Sequence, residues 1–290
     1  MAAVHAISVD AADAARARAA VSAAIADVQR IEAKYSRYRE DSLLSRINRA
    51  AGARAVEIDD ETNALLDYAD RCHALSQGRF DVTSGVFRRA WDFLGHPPRI
   101  PLPAEIDALR ELVGWQHVER TNRSVHLRKR GMQLDFGGIG KEYAADRAAT
   151  ILRQHGIGNA LVNLGGDVRA IGGQADGAPW RIGIRHPREP EPAAIASVDL
   201  VDGAIATSGD YERFFEVDGR RYCHIIDALT GMPVVAWQSI SVAAPLAIVA
   251  GSCSTIAMLV GTHAAAFLDD QHLRWLGIDA SGQRAGSIAQ

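Results

Sequence analysis

Residues 134–148 read LDFGGIGKEYAADRA, and this stretch decides more of the fold than any other segment. Alternating apolar residues before it predict a strand that leads into Asp135. Three glycines after Asp135 remove side chains from the turn, so that backbone can approach a ligand closely. A helix over about 141–155 is predicted next, and its free N–H groups face the same turn. The stretch therefore predicts a strand, a ligand-binding turn and a helix.

Upstream of this unit, apolar residues recur at helical spacing. A first, alanine-rich helix follows two candidate caps, Asp10 and Asp13. Its inward face is predicted to hold Val21, Ala24, Ile25, Val28, Ile31 and Tyr35. Ser42 is predicted to cap a short second helix. A third opens at Asp60 with Leu65, Ala69, Cys72 and Leu75 inward, and a short fourth follows Pro103.

Downstream, the pattern is mostly that of short strands. They are predicted at 4–9 (before the first helix), 125–127, 160–164, 168–171, 180–184, 196–201, 222–226 and 239–243, with a last helix over 251–259. Helices and many short strands without βαβ alternation favour the α+β class. No repeat or linker divides the chain, so residues 1–290 are predicted to form a single domain.

Composition excludes some functions. The chain has 290 residues, 48% of them hydrophobic, and a formal net charge of −3. Nucleic-acid binding normally needs a basic surface, so none is expected. No unbroken apolar run is long enough to span a bilayer. The cysteines Cys72, Cys223 and Cys253 are far apart and match no disulfide or zinc spacing.

Seven segments in a fixed order carry a family resemblance. Besides residues 134–148 they are YSRYREDSLLSRIN (35–48), GRFDVTSGVF (78–87), LVNLGGDVRAIG (161–172), AIATSGDYERFF (204–215), HIIDALTGMPV (224–234) and GSCSTIAMLVG (251–261). In this order they resemble the FAD:protein FMN transferases, also called ApbE or flavin transferases, over nearly the whole chain. The resemblance implies one domain with mixed or antiparallel sheets and flanking helices.

The resemblance also implies a nucleotide site. It places FAD contacts at Tyr38, Arg79, Phe80, Asp81, Asp135, Lys141, Thr207 and Ser208. The residues alone allow plainer interpretations: 79–81 as a polar turn and Tyr38 as a packing residue. Thr207 and Ser208 are predicted to lie in a small-residue turn that offers hydroxyl groups to phosphate. The pair Gly165–Gly166 before Asp167 is interpreted as a structural hairpin turn.

His224 and Asp227 match the family pattern His-x-x-Asp-x-x-Thr-Gly. The resemblance makes His224 the candidate general base, a role that suits an imidazole because its pKa lies near working pH. Asp227 is the candidate group that orients or supports it.

The resemblance further implies Mg²⁺, held by the Gly138 carbonyl and the Thr255 hydroxyl with help from Ser252 or Ser254. Two positions depart from the family. Gly251 stands where an aspartate ligand is usual, and Glu142 stands where glycine is common. The Glu142 side chain is expected to point outward. Because magnesium usually keeps a carboxylate, the site is expected to be weak unless the pyrophosphate completes it or another acid substitutes.

The function implied is transfer of FMN from FAD to a Ser or Thr hydroxyl of an acceptor flavoprotein, with release of AMP. Three alternatives stay open: a metal-dependent FAD pyrophosphatase, a non-catalytic FAD-binding protein with a degenerate metal site, and an α+β protein without a flavin link. The start MAAVHAISVD has no basic region, apolar core or early cysteine of a leader. A cytoplasmic location is expected, or a periplasmic one if a leader preceded Met1, which aligns with the family's first strand.

Overall fold

The computed structural model describes residues 4–93, 95, 97–189 and 194–288, so Met1 lies outside the described residues. In chain order the elements are β1 (His5–Val9), α1 (Ala14–Tyr35), α2 (Leu43–Arg49), β2 (Val56–Glu57), α3 (Asp60–Leu75), α4 (Pro103–Arg110), β3 (Val118–Thr121), β4 (Ser124–Leu127), α5 (Gly140–Gln154), β5 (Ala160–Leu164), β6 (Asp167–Ile171), β7 (Trp180–Arg185), β8 (Ala194–Leu200), β9 (Gly203–Gly209), β10 (Phe214–Val217), β11 (Arg220–Cys223), β12 (Trp237–Ala244), α6 (Ala247–Val260), α7 (Ala264–Asp270), β13 (Arg274–Asp279) and β14 (Arg284–Gly286). The α+β prediction is confirmed.

A seven-stranded antiparallel sheet forms the centre, in the order β1-β5-β6-β9-β12-β13-β14. The link between β5 and β6 is the two-residue turn Gly165–Gly166, in which φ is +64° and +95°. Positive φ at both positions is the geometry of a type I′ hairpin, which favours glycine. The predicted hairpin turn is therefore present, and it places Asp167 at the first position of β6.

Helices α1, α5 and α6 cover one face of this sheet. Asp146 on α5 accepts hydrogen bonds from the N–H groups of Ala247 and Ile248, both at 2.9 Å. A carboxylate at a helix N-terminus satisfies free donors and complements the helix dipole. Asp146 thereby fixes the start of α6 against α5, which matters because both helices contribute to the candidate site.

The opposite face of the sheet is covered by the β7–β8 hairpin. Its buried residues Ile184, Ala196 and Val198 pack with Val168 of β6 and Ile205 of β9 in one hydrophobic cluster. Every residue of β6 is buried, as expected for a strand covered on both faces.

The predicted caps are largely confirmed: Asp13 caps α1 and Ser42 caps α2. The inward prediction is wrong for two residues, since Ile25 is 43% exposed and Leu75 is 45% exposed. Ile25 follows the buried Ala24 by one position, which turns it about 100° away from the buried stripe of α1.

Three β predictions need correction. The strand predicted to lead into Asp135 ends at Leu127, and residues 128–136 are not in a strand. The strand predicted over 222–226 ends at Cys223, because the chain turns at 224–231 and Ile226 pairs only with Pro233. Residues 207–209, predicted as a turn, are the end of the central strand β9. Ser208 lies against α6, which packs directly on β9, and the Tyr211 ring occupies the place of a Cβ on Gly209.

Residues 247–270 are the described segment that is long and apolar enough to cross a membrane by composition, with a mean hydropathy of 1.4. Our expectation of no span rested on unbroken apolar runs, and Thr262 and His263 interrupt this one. Most of the segment is buried within the protein. A buried core helix passes the same compositional test, so the segment is weak evidence for a span.

Gly231 closes the turn after His224 and provides a stability test. Its φ is +70°, and an added Cβ would lie 2.5 Å from Ile106 Cγ2 and 2.8 Å from Phe87 Cε1. We expect Gly231→Ala to lower the free energy of unfolding by about 2 kcal/mol or more, through backbone strain and overpacking together. Urea denaturation with an unchanged m-value measures this.

The matched control is Gly219→Ala, because Gly219 has a similar φ of +73° but open space around the added Cβ. It should show only the backbone part of the cost. Equal losses in the two variants would mean that the contacts with Ile106 and Phe87 do not matter.

Candidate active site

Several elements converge at the helix-covered face of the sheet. They are the turn 135–139 with the start of α5, the first residue of β6, the end of β9 and the middle of α6. The Cys223–Gly231 connection lies beside them, because Arg79 joins it to the segment before the turn. Together they hold most of the predicted site residues.

Asp135 lies at the centre of a group of cations. Its Oδ2 accepts a hydrogen bond from Arg37 Nη1 at 2.8 Å and also contacts the Arg88 guanidinium, while Oδ1 accepts from the Gly137 N–H at 2.8 Å. The Arg37 guanidinium lies 4.6 Å from the centre of the exposed Tyr38 ring. Two guanidinium groups around one carboxylate leave a net positive charge beside an accessible aromatic ring, which suits a nucleotide.

The glycine turn packs against Phe80. A Cβ on Gly138 would lie 2.9 Å from Phe80 Cε2, so only glycine fits over this ring without a shift. Phe80 is buried, and its backbone N–H donates to Ser76 Oγ at 2.9 Å. Phe80 therefore supports the turn from below.

Arg79 and Asp227 pair with each other. The Arg79 guanidinium donates to Asp227 Oδ2, and Asp227 Oδ1 accepts from the Leu229 N–H at 2.9 Å. Since both carboxylate oxygens are engaged, Asp227 shapes the turn that follows His224. The structure gives no direct contact from this carboxylate to the imidazole among the described residues.

Asp81 has an internal role. Its Oδ1 accepts from both the N–H and the hydroxyl of Thr83 at 2.7 Å, and its Oδ2 accepts from the Trp115 N–H at 2.9 Å. The residue is 5% exposed. This carboxylate holds the loop around Thr83 together and is not grouped with Asp135.

The His224 imidazole is accessible and lies in a positive field. Burial is the largest cause that lowers the pKa of His224, and the charges of Arg213, Lys141 and Arg88 add to it. Together they lower this pKa to about 4, while the Arg213 carbonyl acts to raise it. The accessible ring argues against complete desolvation, and the positive charges by themselves give the same direction. His224 is therefore neutral at pH 7, the form that a general base requires.

Lys141 and Asp167 form an ion pair across α5 and β6. Lys141 Nζ lies 2.5 Å from Asp167 Oδ2, and the Asp167 side chain is only 5% exposed. Burial acts to lower the pKa of Lys141, but the carboxylates of Asp167 and Glu142 outweigh it and raise the pKa. Lys141 is thus held charged at the start of α5.

Glu142 corrects our expectation, because its side chain points inward and is only 6% exposed overall. Burial and the nearby Asp167 carboxylate raise the pKa of Glu142, whereas Lys141 opposes this. Its Oε2 is buried and has no hydrogen-bond partner in the described part of the chain. The reason for the inward path is space, since Gly251 on α6 has no side chain to occupy the same volume.

Hydroxyl groups connect β9 to α6. Ser208 Oγ lies 2.8 Å from Ser254 Oγ and 2.9 Å from Thr255 Oγ1, and Ser254 Oγ donates to the Gly251 carbonyl at 2.9 Å. Ser254 is fully buried, whereas Thr255 is partly accessible. Thr255 is therefore the better placed of the two for ligation, with Ser254 as its support.

Thr207 lies on the other face of the sheet from Ser208, because successive strand residues alternate. Its hydroxyl is 2.7 Å from Ser241 Oγ on the paired position of β12. The structure thus groups Ser208, and not Thr207, with the helix-side residues.

The donor set fits one hard divalent cation. Among the described ranges, no three His, Cys, Asp or Glu side chains are arranged as metal ligands. Magnesium, however, is often held by one or two carboxylates, with waters and substrate phosphates completing its shell. The first hydrogen bond of α5 joins Tyr143 N–H to Ile139 C=O, so the Gly138 carbonyl lies just outside the helix. With Thr255 and the unpartnered Glu142 oxygen nearby, the residues fit such an ion.

Sequence reasoning missed four contributors: Arg37, Arg88, Asp167 and the inward Glu142. Arg37 lies within the segment 35–48 and Arg88 directly follows the segment 78–87, but neither was singled out, because arginines are ordinarily surface residues. Asp167 was visible only as part of a hairpin turn. Glu142 and Gly251 were both noticed as departures, but their contact could not be known before α5 and α6 were placed together.

Comparisons with known proteins identify the family of the chain. Residues 1–276 match the model of the ApbE family. The chain therefore belongs to the ApbE family.

Named relatives identify the kind of protein found there. An FAD:protein FMN transferase of Salmonella typhimurium is 35% identical over 237 residues, which cover 79% of this chain and 68% of the relative. The Escherichia coli K12 protein of the same name is 34% identical over 233 residues, covering 78% and 66%. The chain thus spans 66–68% of the length of these two relatives.

Solved structures of ApbE proteins have the same fold as this chain. The ApbE protein of Thermotoga maritima has a TM-score of 0.85 at 35% identity, covering 93% of this chain and 89% of that one. The flavinyl transferase ApbE of Pseudomonas stutzeri, in its apo form, has a TM-score of 0.87 at 27% identity, covering 98% and 90%.

Proposed function

We propose that this chain is an FAD:protein FMN transferase, which moves FMN from FAD to a Ser or Thr hydroxyl of an acceptor flavoprotein. The single observation that carries the proposal is the accessible His224 imidazole, which lies near the positive charges of Arg213, Lys141 and Arg88. An anionic pyrophosphate needs the positive charge, and a hydroxyl nucleophile needs a base. The named relatives support the same activity.

The proposed reaction is a phosphoryl-group transfer. The acceptor hydroxyl oxygen forms a bond to the FMN phosphorus, its proton passes to His224, and the bond to the bridging oxygen breaks so that AMP leaves. Arg37, Arg88 and Lys141 place positive charge where the pyrophosphate would lie. Most of the rate gain in such reactions comes from positioning and charge stabilisation.

Magnesium belongs to the proposal as the ion held by Gly138 and Thr255, and it would neutralise charge on the pyrophosphate when bound. The chain's own residues set the geometry. Ser208 contacts the Thr255 hydroxyl and is itself held by Ser254, and Phe80 packs against the Gly138 turn.

Product analysis tests the function. The protein is incubated with FAD and Mg²⁺, with and without a flavin-acceptor domain, and the nucleotides are separated. We expect AMP only when the acceptor is present. AMP with free FMN in both samples would show the pyrophosphatase instead. Intact FAD in both, with a raised melting temperature, would show a flavin-binding protein.

A further inference from the structure

Positions 142 and 251 compete for one volume between α5 and α6. An ideal Cβ built on Gly251 would lie 2.4 Å from Glu142 Cγ and 3.0 Å from both its Cδ and its Oε1. Contacts under 3.0 Å do not occur for real Cβ atoms, so a side chain at 251 and the present Glu142 rotamer exclude each other. The Glu142 side chain therefore fills the place that a side chain from position 251 would take.

The same place is bordered by the oxygen donors of the site. Gly251 and Thr255 are four residues apart on α6 and thus lie on one face of it. Their connection runs from the Gly251 carbonyl through Ser254 to Ser208, which contacts Thr255. Gly138 lies one turn before Glu142, at the start of α5. The Glu142 carboxyl group therefore lies beside Gly251, on the face of α6 that also carries Thr255.

One oxygen of that carboxyl group lacks a partner. Glu142 Oε2 is buried without a hydrogen bond from any described N–H or hydroxyl group, although the Asp167 carboxyl group is close enough to share a proton with Glu142. The neighbouring ammonium group of Lys141 is engaged with Asp167 at 2.5 Å. A buried polar oxygen without a partner is costly, and a bound cation removes that cost.

We propose that Glu142 supplies, from α5, the carboxylate ligand of the divalent cation that would otherwise come from position 251 on α6. The proposal rests on the proposed function, because that function requires the ion. It means that Gly251 marks a relocated ligand and not a decayed site. Gly251→Asp should not strengthen cation binding by itself, because the new side chain meets Glu142.

Manganese binding tests the relocation without using activity. Free Mn²⁺ is followed by electron paramagnetic resonance as it is titrated into the protein in the presence of FAD. We expect Glu142→Gln, which keeps the volume and removes the charge, to weaken Mn²⁺ binding at least tenfold. Glu57→Gln is the matched control, because Glu57 is an exposed residue of β2 outside the site. The proposal is overturned if E142Q binds Mn²⁺ as tightly as the wild type.

A carboxylate swap gives the second measurement. Glu142→Gly combined with Gly251→Asp moves the acid back to α6 and removes the clash, so the double variant should bind Mn²⁺ more tightly than E142G alone by at least tenfold. G251D alone should be less stable than the double variant. No gain from the second substitution would contradict the shared position. If the wild-type protein binds Mn²⁺ but transfers no FMN, the proposed function is contradicted instead.

Discussion

Replacing His224 with alanine is expected to lower kcat for FMN transfer by about 10²–10⁴-fold, the usual contribution of a positioned general base. The loss should appear in kcat because the acceptor hydroxyl would no longer have a group to take its proton. FAD affinity should change little, since Arg37, Arg88 and Lys141 remain. The fold should also persist, because the imidazole is accessible and lies outside the hydrophobic clusters.

The control is His5→Ala, since His5 is exposed on strand β1, away from the pocket. It should retain wild-type turnover. A His224→Ala variant with kcat within a few-fold of wild type would contradict the role of His224 as base.

The pH profile gives an independent check on the same residue. With a pKa of about 4 in the folded protein, His224 is unprotonated throughout the neutral range. We expect kcat/KM to stay flat above about pH 5 and to fall at lower pH as the imidazole gains a proton. Because this pKa lies below the ordinary value of 6.5, protonation also favours unfolding, so stability should decline as the pH falls below that value.

Replacing Lys141 with methionine is expected to lower the free energy of unfolding by about 3 kcal/mol, because a buried carboxylate loses its partner. Asp167 is almost fully buried, and Glu142 lies beside it. The value is at the lower end for a broken buried pair, since the Lys141 side chain is 28% exposed. Urea denaturation of both proteins measures the difference.

Two further variants separate the effect of the unpaired Asp167 charge from the effect of removing a lysine ammonium group alone. Lys129→Met removes a lysine that donates only to the Glu111 carbonyl, and it should cost about 1 kcal/mol or less. Adding Asp167→Asn to Lys141→Met should recover part of the loss, since the unpaired charge is gone. No recovery would contradict the ion-pair explanation.

The stability at alkaline pH tests the same ion pair between Lys141 and Asp167. The pKa of Lys141 is raised above its ordinary value of 10.5 in the folded protein. Its contribution to stability is therefore complete below that value and is lost as the pH rises through the folded pKa. The difference between wild type and Lys141→Met should shrink at strongly alkaline pH.

Local rules were sufficient for most of the helices. Asp13 and Ser42 were identified as caps because Asp and Ser side chains satisfy free N–H groups at helix starts. The hairpin at Gly165 followed from the glycine pair. The central strand β9 was missed at its end, because Thr207, Ser208 and Gly209 have the composition of a turn. Ser208 lies against α6, a tertiary contact that the local sequence does not show.

The site residues that lie in recognised motifs could be predicted from the sequence, and the others could not. Asp135, Lys141, His224 and Thr255 all lie in the converging region, though their roles stay predictions. The direction of Glu142 could not be predicted, because it depends on Gly251, a residue distant in sequence that becomes a neighbour only when α5 packs on α6. Arg37 and Asp135 are likewise distant in sequence and become neighbours only in the folded chain.

The most direct test of the proposed transferase is the intact mass of an acceptor domain after incubation with this protein, FAD and Mg²⁺. The account predicts a gain equal to FMN on a single Ser or Thr, located by fragmentation of the modified peptide, with AMP released in equal amount. The gain should be absent when that hydroxyl residue is replaced by alanine. Consumption of FAD with no change in the acceptor mass would contradict it.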